Sequence, residues 1–381
     1  MNNILNKVLT ICIGLLAISY TDSFSQDVYV AEVLRDAPLD TTRHGDISLS
    51  LKNISYFKNN EFFGEFADGY TLPGYRFRPT LKYQFLPNVL LEVGAEMLQY
   101  GGTDKFDKVY PYVSAIWQVN PNFSVRLGNI DGSTCHRLHQ AILDPESLLS
   151  ARPATGAQVL WRTSKVDGEI WIDWQSFIKH GDTIPERFMA GIRADFTPID
   201  NNGYSLFIPL RLTFNHIGGQ ISTFPMPVQS LMNLQVGLKS THKVSGSFIN
   251  AIYYGVDLLY FNVFNGGDVH RTTNGYAVNP EVGMKSKLIS ASVGYFHADD
   301  YNSLHGMPLL TSSSRFTDAY RKARNIALAH VALEKQIHKC VRFSLDFNAY
   351  HDIDKSQFDY SYGFAIALSP NIKLANVKIA E

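Results

Sequence analysis

The sequence has few cysteines, no long apolar segment and almost no net charge. Only 3 of its 381 residues are Cys, which excludes a small scaffold held together by disulfides. A formal net charge of -1 gives no reason to expect a nucleic-acid partner. No run of about eighteen consecutive apolar residues is present, so the chain has no candidate transmembrane helix. If it enters a membrane, it must do so without helices.

The first 26 residues have the order of regions that a secretory signal peptide has. A single lysine precedes a short apolar core at 8–18, and small and polar residues follow up to a cleavage site at 25 or 26. Cys12 lies inside the apolar core without the small residue that a lipoprotein signal places before its cysteine. We therefore expect an exported chain without a lipid anchor, beginning near Asp27.

Aromatic residues and period-two alternation are abundant. The chain contains 24 Phe and 20 Tyr. In "YRFRPTLKYQF" (75–85), Tyr, Phe and Leu fall on one face of an extended strand, and Arg, Thr, Lys and Gln on the other. The same split recurs at 91–99, 123–128, 188–196, 204–215 and 358–368. Runs of about 9 to 12 residues with this alternation have the length that a tilted strand needs to cross a hydrocarbon layer.

Short turns alternate with long connections along the chain. Pro-Asn pairs, which favour tight turns, lie at the centres of 85–89, 119–123 and 368–372. Long connections separate the turns, at 58–74, 131–156, 216–231, 262–276 and 299–325. This arrangement, together with the signal peptide and the alternating strands, resembles the porin-like outer-membrane β-barrel proteins of Gram-negative bacteria. The resemblance covers residues 46–368.

The resemblance implies an all-β fold, a transmembrane antiparallel β-barrel of about 16 strands with short periplasmic turns and long extracellular loops. Residues 1–26 would be the signal peptide, 27–45 an N-terminal periplasmic segment and 46–381 the barrel. The alternation predicts sixteen strands, but "IKLANVKIA" after the third Pro-Asn pair would make seventeen. Because an even number is usual, one assignment must be wrong, and 14 to 18 strands stay open. A secreted β-sandwich or β-helix is the alternative fold.

The expected function is an outer-membrane channel for the diffusion of small hydrophilic solutes. The expected partners are these solutes and membrane lipid. No cofactor, metal or nucleic acid is expected, and the oligomeric state stays open. The polar strand faces supply the pore-lining candidates Arg76, Arg78, Lys82, Glu92, Glu96, Arg126, Arg162, Glu169, Trp171, Asp173, Arg193 and Arg211. These charges would influence which solutes pass. Alternatively, neighbouring strands simply pair them, with the basic residues of 76–82 facing the acidic residues of 92–96. Trp171 between two acids could instead stack on a sugar.

The connection 131–156 combines clustered charge with a helix-start signal. Asp144 can cap a short helix at 145–150 that has Pro145 at its first position. In porin-like barrels one long loop often folds inward, which makes this loop a candidate constriction. An outward fold over the rim is equally compatible. The constriction candidates are His136, Arg137, His139, Asp144 and Glu146. The two histidines with Asp144 and Glu146 could also be metal ligands or an acid-base set.

We expect no enzymatic activity. The pair His242 and Ser245 in "THKVSG" would lie on opposite faces of a strand, and no HExxH or paired CxxC motif is present. A surface binding or adhesion barrel is the second functional hypothesis and an outer-membrane hydrolase the third. The topology also places Cys135 and Cys340 at opposite ends of the barrel, so we expect them to be unbonded.

Overall fold

The computed structural model describes residues 28–35, 39–245 and 248–377. The predicted signal peptide at 1–26 lies outside the described residues. Within the described ranges, no helix has the length and apolar character needed to cross a membrane. The fold is all-β, as the alternation predicts.

The strands and the two short α-helices have the following bounds. The helices are α1 (Val28–Ala31) and α2 (Ser147–Ser150), and three-residue or four-residue 3-10 turns lie at Ser133–His136, Gly267–Val269 and Pro308–Leu310. The strands are β1 (Asp46–Glu61), β2 (Tyr70–Leu86), β3 (Val89–Tyr100), β4 (Lys108–Asn120), β5 (Phe123–Asn129), β6 (Thr155–Arg162), β7 (Val166–Ser176), β8 (Glu186–Asp200), β9 (Tyr204–Gly218), β10 (Gln229–Lys243), β11 (Ala251–Asn265), β12 (Asn274–Lys285), β13 (Ile289–Asp299), β14 (Ala323–His338), β15 (Val341–Asp352), β16 (Gln357–Leu368) and β17 (Asn371–Asn376).

Sixteen antiparallel strands close into a barrel, each pairing with its neighbours in sequence, and β1 pairs with β16 to complete the circle. Closure leaves no strand edge unpaired with a neighbour, which is the condition for a sheet in a bilayer. The predicted fold class and the predicted number of sixteen are confirmed. The two strands that close the barrel, β1 and β16, were both predicted from the alternation.

The strand β17 resolves the conflict between sixteen and seventeen. Leu368 pairs with Asn53 of β1, and Asn371 pairs with Ser50, so the register continues unchanged across the break. Pro370 cannot donate a backbone hydrogen bond, but its carbonyl still accepts one from the amide of Leu51 at 3.0 Å. The predicted turn at 368–372 is therefore wrong. The last Pro-Asn pair interrupts one long strand. β16 and β17 therefore occupy a single position in the barrel wall, and together they count as one of the sixteen strands.

The two faces of the wall have opposite chemistry. In β3, Leu91 is 40% and Val93 57% exposed on the outside, while Glu92 and Glu96 are each 1% exposed on the inside. A water-soluble protein would reverse this pattern, because isolated charges are costly to bury and apolar side chains gain from burial. An apolar outer surface around a polar interior is the arrangement of a membrane barrel.

The connections divide into two classes at the two ends of the barrel. The turn between β2 and β3 and that between β4 and β5 each contain two residues, whereas 130–154 and 300–322 are much longer. All long connections lie at one end, opposite the chain termini. In outer-membrane barrels the long-loop end faces outward, and we call it the outer end.

Segments from both ends fill the barrel. The N-terminal segment (28–35) lies inside the end near the chain termini, where Val30, Ala31 and Leu34 are buried. Lys52 Nζ donates a hydrogen bond to the carbonyl of Leu34 at 2.9 Å. Residues 27–45 were predicted only as a periplasmic segment, and nothing in the alternation pattern signals this packing against the inner wall.

Both thiols are free, as expected, but the prediction that they lie at opposite ends of the barrel is wrong, because Cys135 contacts the N-terminal segment at the end that also holds the turn of Cys340. Cys135 is 4% exposed and lies beneath the N-terminal segment, since its Sγ contacts the carbonyl of Ala31 at 3.7 Å. Burial raises the pKa of Cys135 to about 12. Cys340 lies in the short turn between β14 and β15 and is partly exposed.

We predict that a maleimide labels Cys340 rapidly in the folded protein and Cys135 much more slowly, because burial suppresses the reactive thiolate. Protein expressed from residue 27 would be labelled in detergent and after unfolding in urea, and each thiol quantified by peptide mass spectrometry. The Cys340→Ser variant isolates Cys135. Equal labelling rates for the two thiols in the folded state would contradict the placement of the N-terminal segment.

Candidate functional site

The connection 130–154, which we call the inner loop, folds into the barrel. Residues Ile142 and Leu143 belong to its buried core, and Leu148 and Leu149 of α2 pack under the N-terminal segment. Its polar contacts reach strands around the wall, through the hydrogen bonds Tyr56 Oη to Leu149 O (2.9 Å), Arg211 Nε to Arg137 O (2.8 Å) and His139 Nε2 with Asn279 Oδ1 (2.9 Å). The loop is therefore held from several sides at once.

The predicted helix at 145–150 is only partly present. α2 begins at Ser147, and Asp144 Oδ1 accepts the backbone N–H of Glu146 at 3.0 Å. Asp144 thus starts the turn as expected, but Pro145 and Glu146 precede the helix. A helix of four residues is too short for its dipole to matter, so packing of Leu148 and Leu149 holds it in place.

The basic residues of β2 pair with the acids of β3. Arg76 and Arg78 both bind the carboxylate of Glu96, with Arg78 Nε 2.5 Å from its Oε2. Lys82 Nζ lies 2.6 Å from Glu92. All five side chains are buried. These five predicted residues therefore form cross-strand ion pairs, as in the alternative interpretation, with two acids binding three basic side chains.

A second buried network centres on Glu169 of β7. Its carboxylate contacts Arg193 Nε at 3.0 Å, His136 Nδ1 at 3.2 Å and Gln158 Nε2 at 2.6 Å. Glu169 and Arg193 are 0% exposed. The imidazole of His136 stacks on Trp171 with ring centres 3.9 Å apart. One face of Trp171 is thus already occupied and only 2% of the residue is exposed, which contradicts sugar stacking there.

The other predicted wall residues are also on the inner face. Arg126 binds Asp131 of the inner loop at 2.8 Å, and Asp173 binds Arg152 at 2.6 Å. The side chain of Arg162 remains 40% exposed. Arg211 forms a close ion pair with Asp195 at 2.5 Å. The predicted residues therefore line the interior, but inner-loop contacts fill the space between many of them.

A cavity of about 660 Å³ opens at the outer end, and we call it the outer cavity. Its size lies in the range of ligand pockets, about 300 to 1,000 Å³. Apolar residues form much of its lining, including Phe62, Leu143, Phe188, Ile217, Phe224, Met226, Leu304, Met307 and Phe316. The polar lining includes Lys58, Asn60, Tyr70, Asp144, Glu146, Arg187, His216, His305 and Arg315. Apolar walls beside converging charges suit an amphiphilic ligand.

Two carboxyl groups of the inner loop lie at this cavity in different environments. Glu146 accepts hydrogen bonds from Asn60 Nδ2 at 2.7 Å and from the hydroxyl of Tyr70. Asp144 is 24% exposed at its side chain and 3.9 Å from Arg315 Nη2. Burial and the neighbouring charge of Glu146 raise the pKa of Asp144 to about 6. A carboxyl group with such a pKa can exchange protons near neutral pH.

A histidine from the connection 300–322, which we call the cap loop, completes the polar lining. The amide of Asp144 donates to the carbonyl of His305 at 2.7 Å, which joins the two loops. The side-chain Nε2 of His305 is buried without a hydrogen-bond partner. Burial and the charges of Arg315 and Arg187 lower the pKa of His305 to about 4, so this imidazole is neutral at pH 7. Burial also lowers the pKa of His139, which points elsewhere, to Asn279.

Most residues that line the outer cavity were not predicted from the sequence. Asp144 and Glu146 were singled out, but Lys58, Asn60 and Tyr70 come from the ends of β1 and β2, and His305 comes from a distant loop. No local motif connects these positions, because only barrel closure and loop packing bring them together. Among the described residues, no group of three or more His, Cys, Asp or Glu side chains is placed to hold a metal ion.

The closed barrel, its apolar outer surface and its polar interior define the class of the protein. The chain is an integral outer-membrane β-barrel, and the predicted outer-membrane location is confirmed. It belongs to the family of lipid A 3'-O-deacylase-type proteins, whose model matches residues 39–377. No curated protein matches the chain.

Solved structures of outer-membrane proteins are similar in fold. A loop L8 deletion mutant of OmpT, an outer membrane protein of Vibrio cholerae, has a TM-score of 0.50 at 9% identity, covering 85% of this chain and 99% of that chain. OprD of Pseudomonas aeruginosa has a TM-score of 0.49 at 11% identity, with coverages of 89% and 100%. OccAB4 of Acinetobacter baumannii has a TM-score of 0.47 at 9% identity, with coverages of 87% and 99%. At these identities the likeness concerns the fold alone.

The family corrects one prediction. The expectation that the chain is not an enzyme is wrong, because the matching family is named for a deacylase, which is an enzyme. The expectation rested on the absence of short catalytic motifs. Catalytic groups in a barrel can come from distant strands and loops, so such motifs are a poor guide here.

We predict that Glu169→Gln destabilises the barrel by about 1–3 kcal/mol, because it removes the charge of one of the three carboxylates around the buried guanidinium of Arg193. The matched control is Glu65→Gln, whose carboxylate is 54% exposed beside Arg321 and should change stability by less than about 1 kcal/mol. Urea unfolding in lipid vesicles, followed by tryptophan fluorescence, measures both. Equal stabilities for the two variants would contradict the buried network.

Proposed function

We propose that the protein hydrolyses an acyl ester of a lipid A-type glycolipid in the outer cavity. The observation that carries the proposal is the composition of this cavity, in which apolar walls adjoin Asp144, a carboxyl group with a pKa raised toward neutrality. Membership of the deacylase-type family points to the same class of reaction. The cavity lies at the long-loop end, which in outer-membrane barrels is the extracellular side of the membrane.

Ester hydrolysis needs a base for the attacking water and a positive group for the developing oxyanion. Asp144 is placed to take the proton of the water, since its carboxylate is the dominant form above pH 6. Arg315, 3.9 Å from Asp144, can stabilise the negative charge on the carbonyl oxygen. The water oxygen bonds to the acyl carbon, the ester C–O bond breaks, and the leaving alkoxide takes up the proton.

Glu146 has a positioning role in this scheme. Its carboxylate is held by Asn60 and Tyr70, so it stays in place while its charge keeps the pKa of Asp144 raised. The acyl chain would lie along the apolar lining, where Met226 and Phe316 are exposed and Phe224 is half-buried. Polar parts of the glycolipid would contact Lys58 and Arg187 of the same cavity.

A serine is the alternative nucleophile. His216, which also lines the cavity, has its Nδ1 3.2 Å from Ser230 Oγ, and its ring stacks on Phe188 at 5.0 Å. His216 and Ser230 are direct cross-strand partners on β9 and β10. A serine within hydrogen-bond reach of a histidine is the geometry of an activated nucleophile. The Ser230→Ala variant distinguishes this route from attack by water.

We predict that Asp144→Asn lowers the rate of acyl release by about 10²–10⁴-fold, since an amide cannot act as the base. The wild-type rate should rise with pH through about 6 and level off above it, because the carboxylate is the active form. Release of fatty acid from lipid A in mixed micelles, quantified by mass spectrometry, measures both effects.

The control for this experiment is Asp318→Asn, a fully exposed carboxylate in the cap loop that should leave the rate unchanged. If Asp144→Asn retains wild-type activity while Ser230→Ala loses it, the serine is the nucleophile and the assignment of Asp144 as base fails. If the wild-type protein releases no fatty acid from lipid A, the proposed function itself fails.

Diffusion of small hydrophilic solutes remains a second candidate function, supported by the polar inner face of a sixteen-stranded wall. In it, the inner loop would form the constriction and its charged residues would influence passage. The contacts that fill the interior weigh against a permanently open path, because several hydrogen bonds tie the inner loop to the wall.

We predict that the intact protein gives no steady conductance in planar bilayers, because the inner loop and N-terminal segment occupy the barrel. A variant with the inner loop shortened should open stepwise conductance, and folding of both proteins is checked by their heat-modifiable migration in electrophoresis. Steady single-channel conductance of the intact protein would favour diffusion as its function.

A further inference from the structure

An excess of arginine lies inside the barrel at the end near the chain termini. Arg35 belongs to the N-terminal segment, Arg137 to the inner loop and Arg162 to the last position of β6, beside a short turn. Three separate parts of the chain thus each place a guanidinium group in this region. We call these three residues the arginine cluster.

The acids near the arginine cluster are already bound to other arginines. Asp131 lies 2.8 Å from Arg126, and Asp167 lies 2.8 Å from Arg193. Asp195 lies 2.5 Å from Arg193 and 2.5 Å from Arg211. These pairs are close and charge-assisted, so they use the strongest acceptor positions of the carboxylates.

The arginine cluster has only long contacts with the same acids. Arg35 Nε lies 4.0 Å from Asp131, Arg162 Nε lies 3.8 Å from Asp167, and Arg137 Nη1 lies 3.6 Å from Asp167. None of these distances is that of a hydrogen bond. Arg35 Nη2, Arg137 Nε and Arg162 Nε are buried atoms without a hydrogen-bond partner.

The charges in this region also leave arginine in excess. Among the described residues of this region, six arginines (35, 126, 137, 162, 193 and 211) face the four acids Asp131, Asp167, Glu169 and Asp195, an excess of two positive charges. Burial and repulsion by Arg35 and Arg193 lower the pKa of Arg137 to about 10. The side chain of Arg35 is only 10% exposed, so water screens this repulsion weakly.

The side chains of the region are nevertheless partly exposed. The exposed fractions are 40% for the side chain of Arg162, 30% for Asp167 and 19% for Arg137. A small ion can therefore approach Arg162 and Arg137 without moving the wall. The buried guanidinium of Arg35 forms the inner side of the same region.

We propose that the arginine cluster binds a small oxyanion of the phosphate class, held between Arg35, Arg137 and Arg162. A tetrahedral dianion matches the excess of two positive charges and offers several acceptor atoms to the guanidinium nitrogens that lack partners. The bound anion joins the N-terminal segment to the inner loop and the wall. It therefore holds the segment in place and is independent of the chemistry in the outer cavity.

The test is isothermal titration calorimetry of the full mature chain, in neutral detergent at low ionic strength, with inorganic phosphate and separately with glycerol phosphate. We expect saturable binding with a dissociation constant below about 1 mM. Tighter binding of inorganic phosphate identifies the free ion as the ligand, and tighter binding of glycerol phosphate identifies an organic phosphate. Either result supports the site.

Variants locate the site. Arg137→Gln and Arg162→Gln should each weaken phosphate binding at least about tenfold, because each removes one charged donor. Arg43→Gln is the control, since Arg43 lies at the same end, is 70% exposed and pairs with Asp40. Arg162→Gln, at the exposed end of a strand, covers the case in which Arg137→Gln fails to fold.

A second readout follows the N-terminal segment itself. Cys135 lies under Ala31, so phosphate should slow the labelling of Cys135 by a maleimide and leave that of Cys340 unchanged. Absence of phosphate binding up to about 10 mM would overturn the proposal. So would binding that is equally strong in Arg137→Gln, Arg162→Gln and wild type.

Discussion

The structure depends on one constraint: backbone hydrogen bonds inside a bilayer must be made within the protein. A sheet meets this condition only by closing, and here β1 closes it by pairing with β2 along one edge and with β16 and β17 along the other. The long pairing of β1 with the last two strands shows that backbone hydrogen bonding is maintained along this seam. Even across Pro370, which cannot donate, the carbonyl remains paired and the wall remains continuous.

Closure also decides where charge must go. With Leu91 and Val93 turned to lipid, alternation forces Glu92 and Glu96 into the interior, where an unpaired carboxylate would be costly. Cross-strand arginines and lysines neutralise many of these acids, and the inner loop supplies further partners such as His136 for Glu169. The polar interior is thus a set of fixed contacts that holds the inner loop, and through it the shape of the outer cavity.

The outer cavity combines an apolar surface with Asp144, whose pKa is raised by its surroundings, and both features suit the proposed hydrolysis of a lipid ester. Its parts come from strand ends and from two loops that hydrogen-bond to one another, including Asp144 to His305. At the opposite end, the arginine cluster and the N-terminal segment close the interior. The first of these features is the site of the proposed ester hydrolysis, while the second follows from the charges of this chain.

The sequence by itself determined the architecture, because side-chain alternation along a strand is a local property that fixes which face meets lipid. The outer-membrane barrel of about sixteen strands and the pairing of 76–82 with 92–96 follow from that pattern. Only the tertiary structure decided that Pro370 lies within a strand, that the inner loop and N-terminal segment fill the barrel, and that Asn60, Tyr70 and His305 meet Asp144 and Glu146. These features depend on contacts between residues far apart in the chain. Neither periodicity nor a short sequence motif can predict such contacts.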